Sequence, residues 1–423
     1  MSSTTNWAGN LTYGARRIAR PASVDELREV IASARREGLR VRTLGSRHSF
    51  TPIADTEGVL VESAGLAGAI DILDDERDAA VRVAGGIRYG ELASELHRRG
   101  YALATLASLP HISVAGAVAT GTHGSGDRTG SLAAAVRAIT LLTADGEHRR
   151  LARGEDGFDG AVISLGALGV VTQLELDVEP TYDVAQSVHE GPRWDALLAE
   201  FDAVTSLGTS VSIFSRWTDA DIADQLWIKN RVGAEPADAE LLARLGAAEA
   251  SVARHPIFGA PAEACTEQFG RPGPWHARLP HFRLEFTPSA GEEIQSEYLV
   301  PRADAVAAIE AIRSLADRIA PLLLVTEIRT VAADRLWLSS SYDSDAVGIH
   351  FTWTRDEAAV RALLPDIEAA LPASARPHWG KIFTLPGEEV RRRYPRWDDV
   401  AALRDRMDPE RVFMNGFLEG LGL

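Results

Sequence analysis

The stretch from Leu106 to Gly126, LASLPHISVAGAVATGTHGSG, constrains this chain more than any other. Gly116, Gly121, Gly124 and Gly126 are set among Ala, Ser and Thr. So many small residues let the backbone come close to a planar or phosphorylated ligand. A second segment, RTLGSRHSF (Arg42 to Phe50), follows directly on a strand-like run, Val41 to Gly45. Successive backbone N–H groups in a glycine-initiated turn form an anion nest suited to a pyrophosphate, to which Arg47 adds charge and Ser46 and Ser49 add donors. Taken singly, each segment reads equally well as a tight turn that binds nothing, since glycine loops are common.

At about 150 residues per domain, 423 residues suggest two or three units. A content of 45% hydrophobic and 25% charged residues supports a real core and excludes global disorder. Lys and Arg number 44 against 60 acids, a net charge of −16 with no long basic run, so nucleic acid is not an expected partner. A lone cysteine, Cys265, makes neither an intramolecular disulfide nor a Cys-based metal site, and fits a reducing cytoplasm. The longest uncharged apolar-rich run, Ala161 to Val171, is short of the ~20 residues that span a bilayer, and MSSTTNWAGN does not read as a signal peptide. The expectation is a cytoplasmic protein with no membrane partner and no metal, a monomer by default. The chain has no G-x-x-x-x-G-K-[ST] loop, H-E-x-x-H helix or G-x-S-x-G elbow. A G-x-G-x-x-G fingerprint after a first strand is missing too, so a Rossmann site is not expected.

Ser23 and Glu26 form a capping box for a helix whose stripe is Leu27, Val30, Ile31 and Ala34, and Gly38 is placed to end it. Strands are expected at Val41 to Gly45 and Ala80 to Ala84, then a Gly85-Gly86 turn and a helix with Leu92 and Leu96 inward. Val136 to Gly146 reads as a strand ending in an Asp-Gly hairpin, and Gly160 to Pro180 as helix, glycine break and strand. Beyond Pro180, VSIFSRW and FRLEFT read as strands, and Ala303 to Ile319 as a long helix with Val306, Ile309, Ile312 and Leu315 inward. LLLVTEIRTV, VGIHFTWT and HWGKIFTL read as three further strands, and DPERVFMNGF as a turn-like tail.

In order and wording the two glycine segments resemble the flavoproteins with a vanillyl-alcohol-oxidase-type FAD domain, and within them the alditol oxidases of xylitol or sorbitol type. LGALGVVT (Leu165 to Thr172), TEIRT (Thr326 to Thr330), IHFTW (Ile349 to Trp353), WGKIF (Trp379 to Phe383) and DPERVFMNGF extend the match over essentially the whole chain. The resemblance implies an α+β, two-domain protein: an FAD-binding domain at residues 1–180, a cap-like substrate domain with an antiparallel sheet at 181–375, and a segment at 376–423 that returns to the first. It implies FAD bonded covalently to His48, a neutral imidazole nitrogen being a competent nucleophile for the flavin 8α methyl, with a raised flavin potential as the result. The implied cofactor contacts are Thr43, Leu44, Gly45, Ser46, Arg47, Ser49, Ser108, Ser113, Gly116, Ala117, Val118, Ala119, His123, Val170, Val171 and His378. The implied substrate contacts are Ser108, Glu327, Arg329, Thr352 and Lys381.

Side-chain alternation speaks independently about the late strands. Glu327 and Arg329 share a face, as do His350, Thr352 and Thr354, while Lys381 shares one with Trp379 and Phe383. If the strands are neighbours, these groups converge on one pocket whose many donors and acceptors fit a substrate rich in hydroxyls; each group left unpaired would cost roughly 1–3 kcal/mol. The plainer readings are a surface ion pair for Glu327 and Arg329, a hydrogen-bonded core histidine for His350 and a solvated edge charge for Lys381. Glu327, once ionised, only accepts, which favours hydroxyl donors over an acid substrate.

The expected reaction is hydride transfer from the terminal carbinol carbon of a small polyol to the flavin, with O2 reduced to hydrogen peroxide. His350, helped by Glu327, is the expected proton acceptor, an ordinary imidazole pKa of ~6.5 suiting the task. Arg329 and Lys381 would fix the oxygen and stabilise negative charge on the reduced flavin, while small residues such as Ala107 would admit O2. The rival enzyme reading is an aldonolactone (gulono- or arabinono-1,4-lactone) oxidase or dehydrogenase. A catalytically silent flavin- or sugar-binding protein is the rival outside catalysis.

Overall fold

The computed structural model describes residues 5–66, 68–73, 78–286 and 293–423. Helix α1 (Val24–Arg36) is capped by Ser23, whose side chain accepts from the Glu26 N–H, while Glu26 reaches back to the Ala22 N–H at 2.8 Å. Leu27, Ile31 and Ala34 are fully buried, and Gly38 follows at φ +65°. Strands β1 (Arg17–Ala19), β2 (Val41–Leu44) and β3 (Val59–Glu62) pair in parallel with β3 central. Gly58 makes this possible, because a Cβ there would collide with the Arg40 backbone. Val412 and Phe413 from the turn-like tail join the α1 cluster, and Val41 donates its N–H to Val412 O at 2.7 Å.

β4 (Asp71–Leu73), β5 (Ala80–Ala84), β6 (Val136–Leu142), β7 (His148–Ala152) and β8 (Val170–Asp177) form an antiparallel sheet in the order β4-β5-β8-β6-β7. The Asp145-Gly146 turn links β6 to β7, with Gly146 at φ +85°. Helices α2 (Tyr89–Arg98) and α3 (Val114–Ala119) pack on this sheet through Leu92, Leu96, Val114 and Val118.

The larger sheet is antiparallel throughout. It contains β9 (Asp183–Glu190), β10 (Ser210–Ser215), β11 (Gln225–Arg231), β12 (Glu293–Pro301), β13 (Leu323–Val331) and β14 (Ala346–Thr354) in the order β9-β11-β10-β13-β14-β12, with two-residue strands at its ends. Its apolar face (Ile294, Tyr298, Ile328, Ile349, Phe351, Trp353) packs on α4 (Ala305–Ser314) and α5 (Glu357–Ala370) through Ile309, Ile312, Leu364 and Ile367. Period-two alternation then sends Glu297, Glu327, Arg329, His350 and Thr352 to the opposite face. The α+β class with a large antiparallel sheet is as expected.

Three sequence expectations give way. FRLEFT is no strand: Phe282 makes one bridge to Cys265, residues 283–286 turn, and Leu284 and Phe286 remain 38% and 39% exposed. Arg283 directs its N–H and its Nε to the carbonyls of Ala264 and Cys265, so no partner strand forms; Thr287 lies outside the described residues. The long helix is broken at Leu315 and begins after a turn at Arg302–Asp304. That shifts the inward stripe to Ala305, Ala308, Ile309 and Ile312, leaving Val306 38% exposed and Leu315 only partly buried. HWGKIFTL is not a strand either: regular ladder pairing with β12 stops at Arg376–Pro377, and only isolated backbone bonds follow, from His378 N–H to Glu297 O at 2.9 Å and from Ile382 N–H to Gln295 O at 2.8 Å. The chain then turns, Lys381 N–H donating to His378 O at 3.0 Å and Gly380 N–H to His378 Nδ1 at 3.1 Å.

Candidate active site

A deep cleft runs between the two sheet systems. One wall is the Thr43–Ser49 segment, which ends β2 and runs beyond it, together with Ala107, Ser108, Ser113 and α3; the other is the polar face of β12, β13 and β14. The two glycine segments meet directly. The Ser113 N–H donates to Ser46 Oγ at 3.0 Å, and a Cβ on Gly45 would collide with Ser113 Oγ. Of the expected cofactor contacts, Thr43, Leu44, Gly45, Ser46, Arg47, His48, Ser49, Ser108, Ser113, Gly116, Ala117, Ala119, His123, Val171 and His378 line the cleft. Val118 and Val170 do not; they are 1% and 0% exposed in apolar clusters. Helical phase turns Val118 inward beside Gly116 and Ala119, and strand alternation buries Val170 while Val171 faces the cleft.

Arg47 occupies the left-handed region at φ +65°, and its guanidinium is bound at 2.7 Å to Glu62, a carboxylate it shares with Arg20. His48 is half of a stack with Trp7, centroids 5.4 Å apart and planes inclined by 22°. Its Nδ1 is buried without a hydrogen-bond partner among the described residues. Burial pushes the imidazole pKa down to about 4, against a weaker upward pull from the Ser46 backbone, so the ring is neutral.

On the opposite wall Glu327, His350 and Glu297 form one cross-strand row, since His350 is paired with Glu327 on β13 and with Glu297 on β12. Glu297 has no exposed side-chain surface, and it gathers two cations and two imidazoles: Lys381 Nζ at 2.5 Å, Arg329 Nη2 at 3.0 Å, His123 Nε2 at 3.2 Å and His350 Nδ1 at 3.8 Å. Arg329 reaches it from two strands away across Gly348, where a Cβ would lie 3.1 Å from Glu297 Oε1. Lys381 Nζ also meets His350 Nδ1 at 2.6 Å, and His350 Nε2 lies 3.1 Å from Thr352 Oγ1. Arg329 Nη1 lies 3.4 Å from Ser108 Oγ; its Nε lies 3.5 Å from Glu327 Oε2 but has no hydrogen-bond partner among the described residues. Lys381 gets there through the His378–Lys381 turn, anchored by Phe50 N–H to Gly380 O at 2.7 Å, and not through strand alternation.

Burial alone would raise both carboxyls. Lys381, His123 and Arg329 overcome it at Glu297, and Arg329, His281 and His350 overcome it at Glu327, so both stay ionised well below the usual carboxylate range. His350 differs from the ~6.5 expected of an ordinary imidazole: burial, reinforced by Lys381, pushes it to about 4. Burial also lowers Lys381, against the raising effect of Glu297. Two residues of this wall escaped the sequence reading. Glu297 was signalled by the alternation of Glu293, Gln295 and Glu297 with Ile294, Ser296 and Tyr298. His281, whose Nε2 is 2.7 Å from Glu327 Oε1, lies in a loop and carried no signal.

Residues 15–152 match the FAD binding domain family, and residues 291–421 match the D-arabinono-1,4-lactone oxidase family. The chain is 49% identical to a Streptomyces sp. protein named alditol oxidase, over 99% of both chains. The chain belongs to the alditol oxidase family, within the vanillyl-alcohol-oxidase-like FAD flavoproteins. It is also 30% identical to L-gulono-1,4-lactone dehydrogenase of Mycobacterium tuberculosis, over 98% of this chain and 97% of that one. The fold matches that of cholesterol oxidase from B. sterolicum with a TM-score of 0.80 at 15% identity, covering 99% of this chain and 96% of that one.

The alditol oxidase family carries FAD, and the first wall fits that group. It offers a glycine turn abutting a small-residue helix, an orphaned buried hydroxyl at Ser113 and an orphaned imidazole nitrogen at His48. Nest and hydroxyls suit phosphates, and the neutral ring suits a flavin edge.

The buried histidines make stability sensitive to acid. His281 and His350 have folded pKa values of about 4 against ~6.5 unfolded. The unfolded chain therefore binds more protons between those values, and stability is lost as pH falls through that window, by at most about 1.4 kcal/mol per pH unit for each ring. Glu297 and Glu327, being lowered, add their loss only below the unfolded carboxylate pKa of ~4.3. The urea midpoint is expected to fall already between pH 6.5 and 5, with a shallower slope in His350→Gln. A midpoint flat down to pH 5 would contradict the neutral, buried state of these rings.

Proposed function

We propose that this protein oxidises the terminal hydroxyl of an alditol such as xylitol or sorbitol to the aldose, with FAD as hydride acceptor and O2 reduced to hydrogen peroxide. The observation that carries this reading is the pairing of Arg329 Nε, a buried donor without a hydrogen-bond partner among the described residues, with the ionised Glu327 3.5 Å away. A hydroxyl both accepts and donates, so it satisfies the two groups together. The match to the Streptomyces alditol oxidase points the same way.

Bound FAD would supply the hydride acceptor for the carbinol carbon and the route by which electrons reach O2. The chain's own residues do the rest. Ser108, Glu327, Arg329, Thr352 and Lys381 hold the substrate hydroxyls in a nearly dry wall, where an unmatched group is costly. Arg329 and Lys381 are also the nearest fixed positive charges for an oxygen or ring that gains electrons. His350 is the proton acceptor of this reading: Lys381 Nζ, 2.6 Å from Nδ1, places the resting lone pair on that nitrogen and the ring hydrogen on Nε2 beside Thr352, so the hydroxyl proton reaches the ring at Nδ1 as Lys381 shifts its hydrogen bond to Glu297. With a pKa of about 4 the ring accepts only in concert with loss of the hydride from carbon, and Glu297, 3.8 Å from Nδ1, offsets the added charge. Glu327 is too acidic for this task and serves as an oriented acceptor. His48 holds the flavin covalently, its neutral ring being the nucleophile. The single thiol, Cys265, is buried and fits a cytoplasmic location.

The match of residues 291–421 to lactone oxidases favours one second reading, oxidation of a γ-lactone. A polyol and lactone panel scored by peroxide release separates the two, and turnover of lactones alone would overturn the alditol assignment. Glu327→Gln keeps the shape but removes the charged acceptor, so kcat/KM for xylitol is expected to fall about 10- to 100-fold. An unchanged kcat/KM would remove Glu327 from the site.

A further inference from the structure

Lys229 on β11 is 1% exposed, and its ammonium is turned toward the 278–281 loop. Nζ lies 2.9, 2.6 and 3.0 Å from the carbonyl oxygens of Arg278, Leu279 and Pro280, and 3.2 Å from His281 Nδ1. Three carbonyls need three N–H groups, so the geometry calls for the ammonium, which Glu327 supports although burial lowers the Lys229 pKa to about 7. An ammonium has no lone pair for the ring. His281 Nδ1 must therefore be the lone-pair nitrogen, and the ring proton sits on Nε2. That Nε2 is 2.7 Å from Glu327 Oε1. Phe214 and Trp227 meet the imidazole edge-on, centroids 5.5 and 5.3 Å away, and hold its plane. Burial pushes His281 to about 4, so the ring is neutral and has a single N–H to direct.

We propose that Lys229 is a positioning residue for the substrate wall: through His281 it fixes the tautomer that presents an N–H to Glu327, and so holds that carboxylate as an oriented acceptor for substrate hydroxyls. This rests on the polyol reading above. Glu327 has two oxygens; His281 occupies one, and the other is left beside Arg329 for the substrate. With the opposite tautomer a lone pair would face the carboxylate, and Glu327 would lose its anchor. The charged and titratable groups that act on Lys229 and His281 are Glu327, Arg329 and Cys265.

The test compares His281→Phe, His281→Gln, Lys229→Met and the Lys229→Met/His281→Gln pair as flavin-loaded enzymes, with flavin absorbance and melting temperature as controls for folding. His281→Phe is expected to raise KM for xylitol about 10- to 100-fold, with a smaller change in kcat. His281→Gln, whose amide N–H needs no tautomer, should recover most of that. Lys229→Met should raise KM in the native background and add nothing on top of His281→Gln. Equal losses in the two His281 variants, or a fully additive double variant, would overturn the proposal. A ring-15N spectrum, with His281 identified by its disappearance in His281→Gln, is expected to show an unprotonated Nδ1. A protonated Nδ1 would refute the tautomer relay whatever the enzyme oxidises, which separates this failure from failure of the polyol reading. If Lys229→Met does not fold, the His281 pair and the spectrum still decide.

Discussion

Glu297→Gln is expected to lower unfolding stability by about 3–5 kcal/mol, the usual cost of removing one partner from a buried ion cluster. The substitution preserves shape and removes only charge. Arg329 and Lys381, at 3.0 and 2.5 Å from the carboxylate, then share the buried wall with Glu327 as the remaining acid nearby, 3.5 Å from Arg329. Like charges in a water-poor site either lose a proton, which Lys381 can do, or push apart. Both outcomes misplace the groups proposed to hold the substrate oxygen, and a shift of about 1 Å at such a site is expected to cost on the order of 100-fold in rate. Urea unfolding at pH 7 and steady-state peroxide release measure the two effects. A variant within about 1 kcal/mol of the parent would mean that the cations are held by something other than Glu297.

The second large effect concerns the flavin. On the proposed covalent link, acid precipitation is expected to leave the flavin in the supernatant in His48→Ala, and to pellet it with the parent protein, where it should fluoresce on a denaturing gel. His48 is suited to the bond because its ring is neutral, its Nδ1 is unpartnered among the described residues, and Trp7 stacks against it. The cleft lining at Gly45, Ser46, Ser113 and Gly116, proposed to contact the cofactor, is unchanged in the variant, so it should still bind FAD reversibly and remain yellow. Flavin that still pellets with His48→Ala would assign the tether to another residue.

Some of this site was legible in one dimension. Side-chain parity put Glu327 with Arg329 and His350 with Thr352 because alternation is a property of the strand itself. The glycine segments announced a close backbone approach for a similar reason, since the absence of a side chain is visible in the sequence, and in the fold the two segments meet at Ser46, Gly45 and Ser113 in the cleft wall. Lys381 entered the expected set through the family resemblance and through side-chain parity on a strand that the fold does not form; a turn carries it to the same wall. Glu297 was overlooked because its strand was not recognised, and its weight comes from cations on other elements.

What the sequence determined alone is local. The Ser23 cap and its Glu26 partner, the Gly38 stop, the Asp145-Gly146 turn and the faces of β13 and β14 each depend on residues a few positions apart. Tertiary structure decided which strands are neighbours, and so brought Glu297 beside His350. It also turned Val118 and Val170 into the core, tied Arg47 to Glu62, and moved the His350 pKa from that of an ordinary imidazole to about 4. The physical reason is range: caps and pleats answer to the next few residues, whereas desolvation and Coulomb forces sum over groups that only folding brings together.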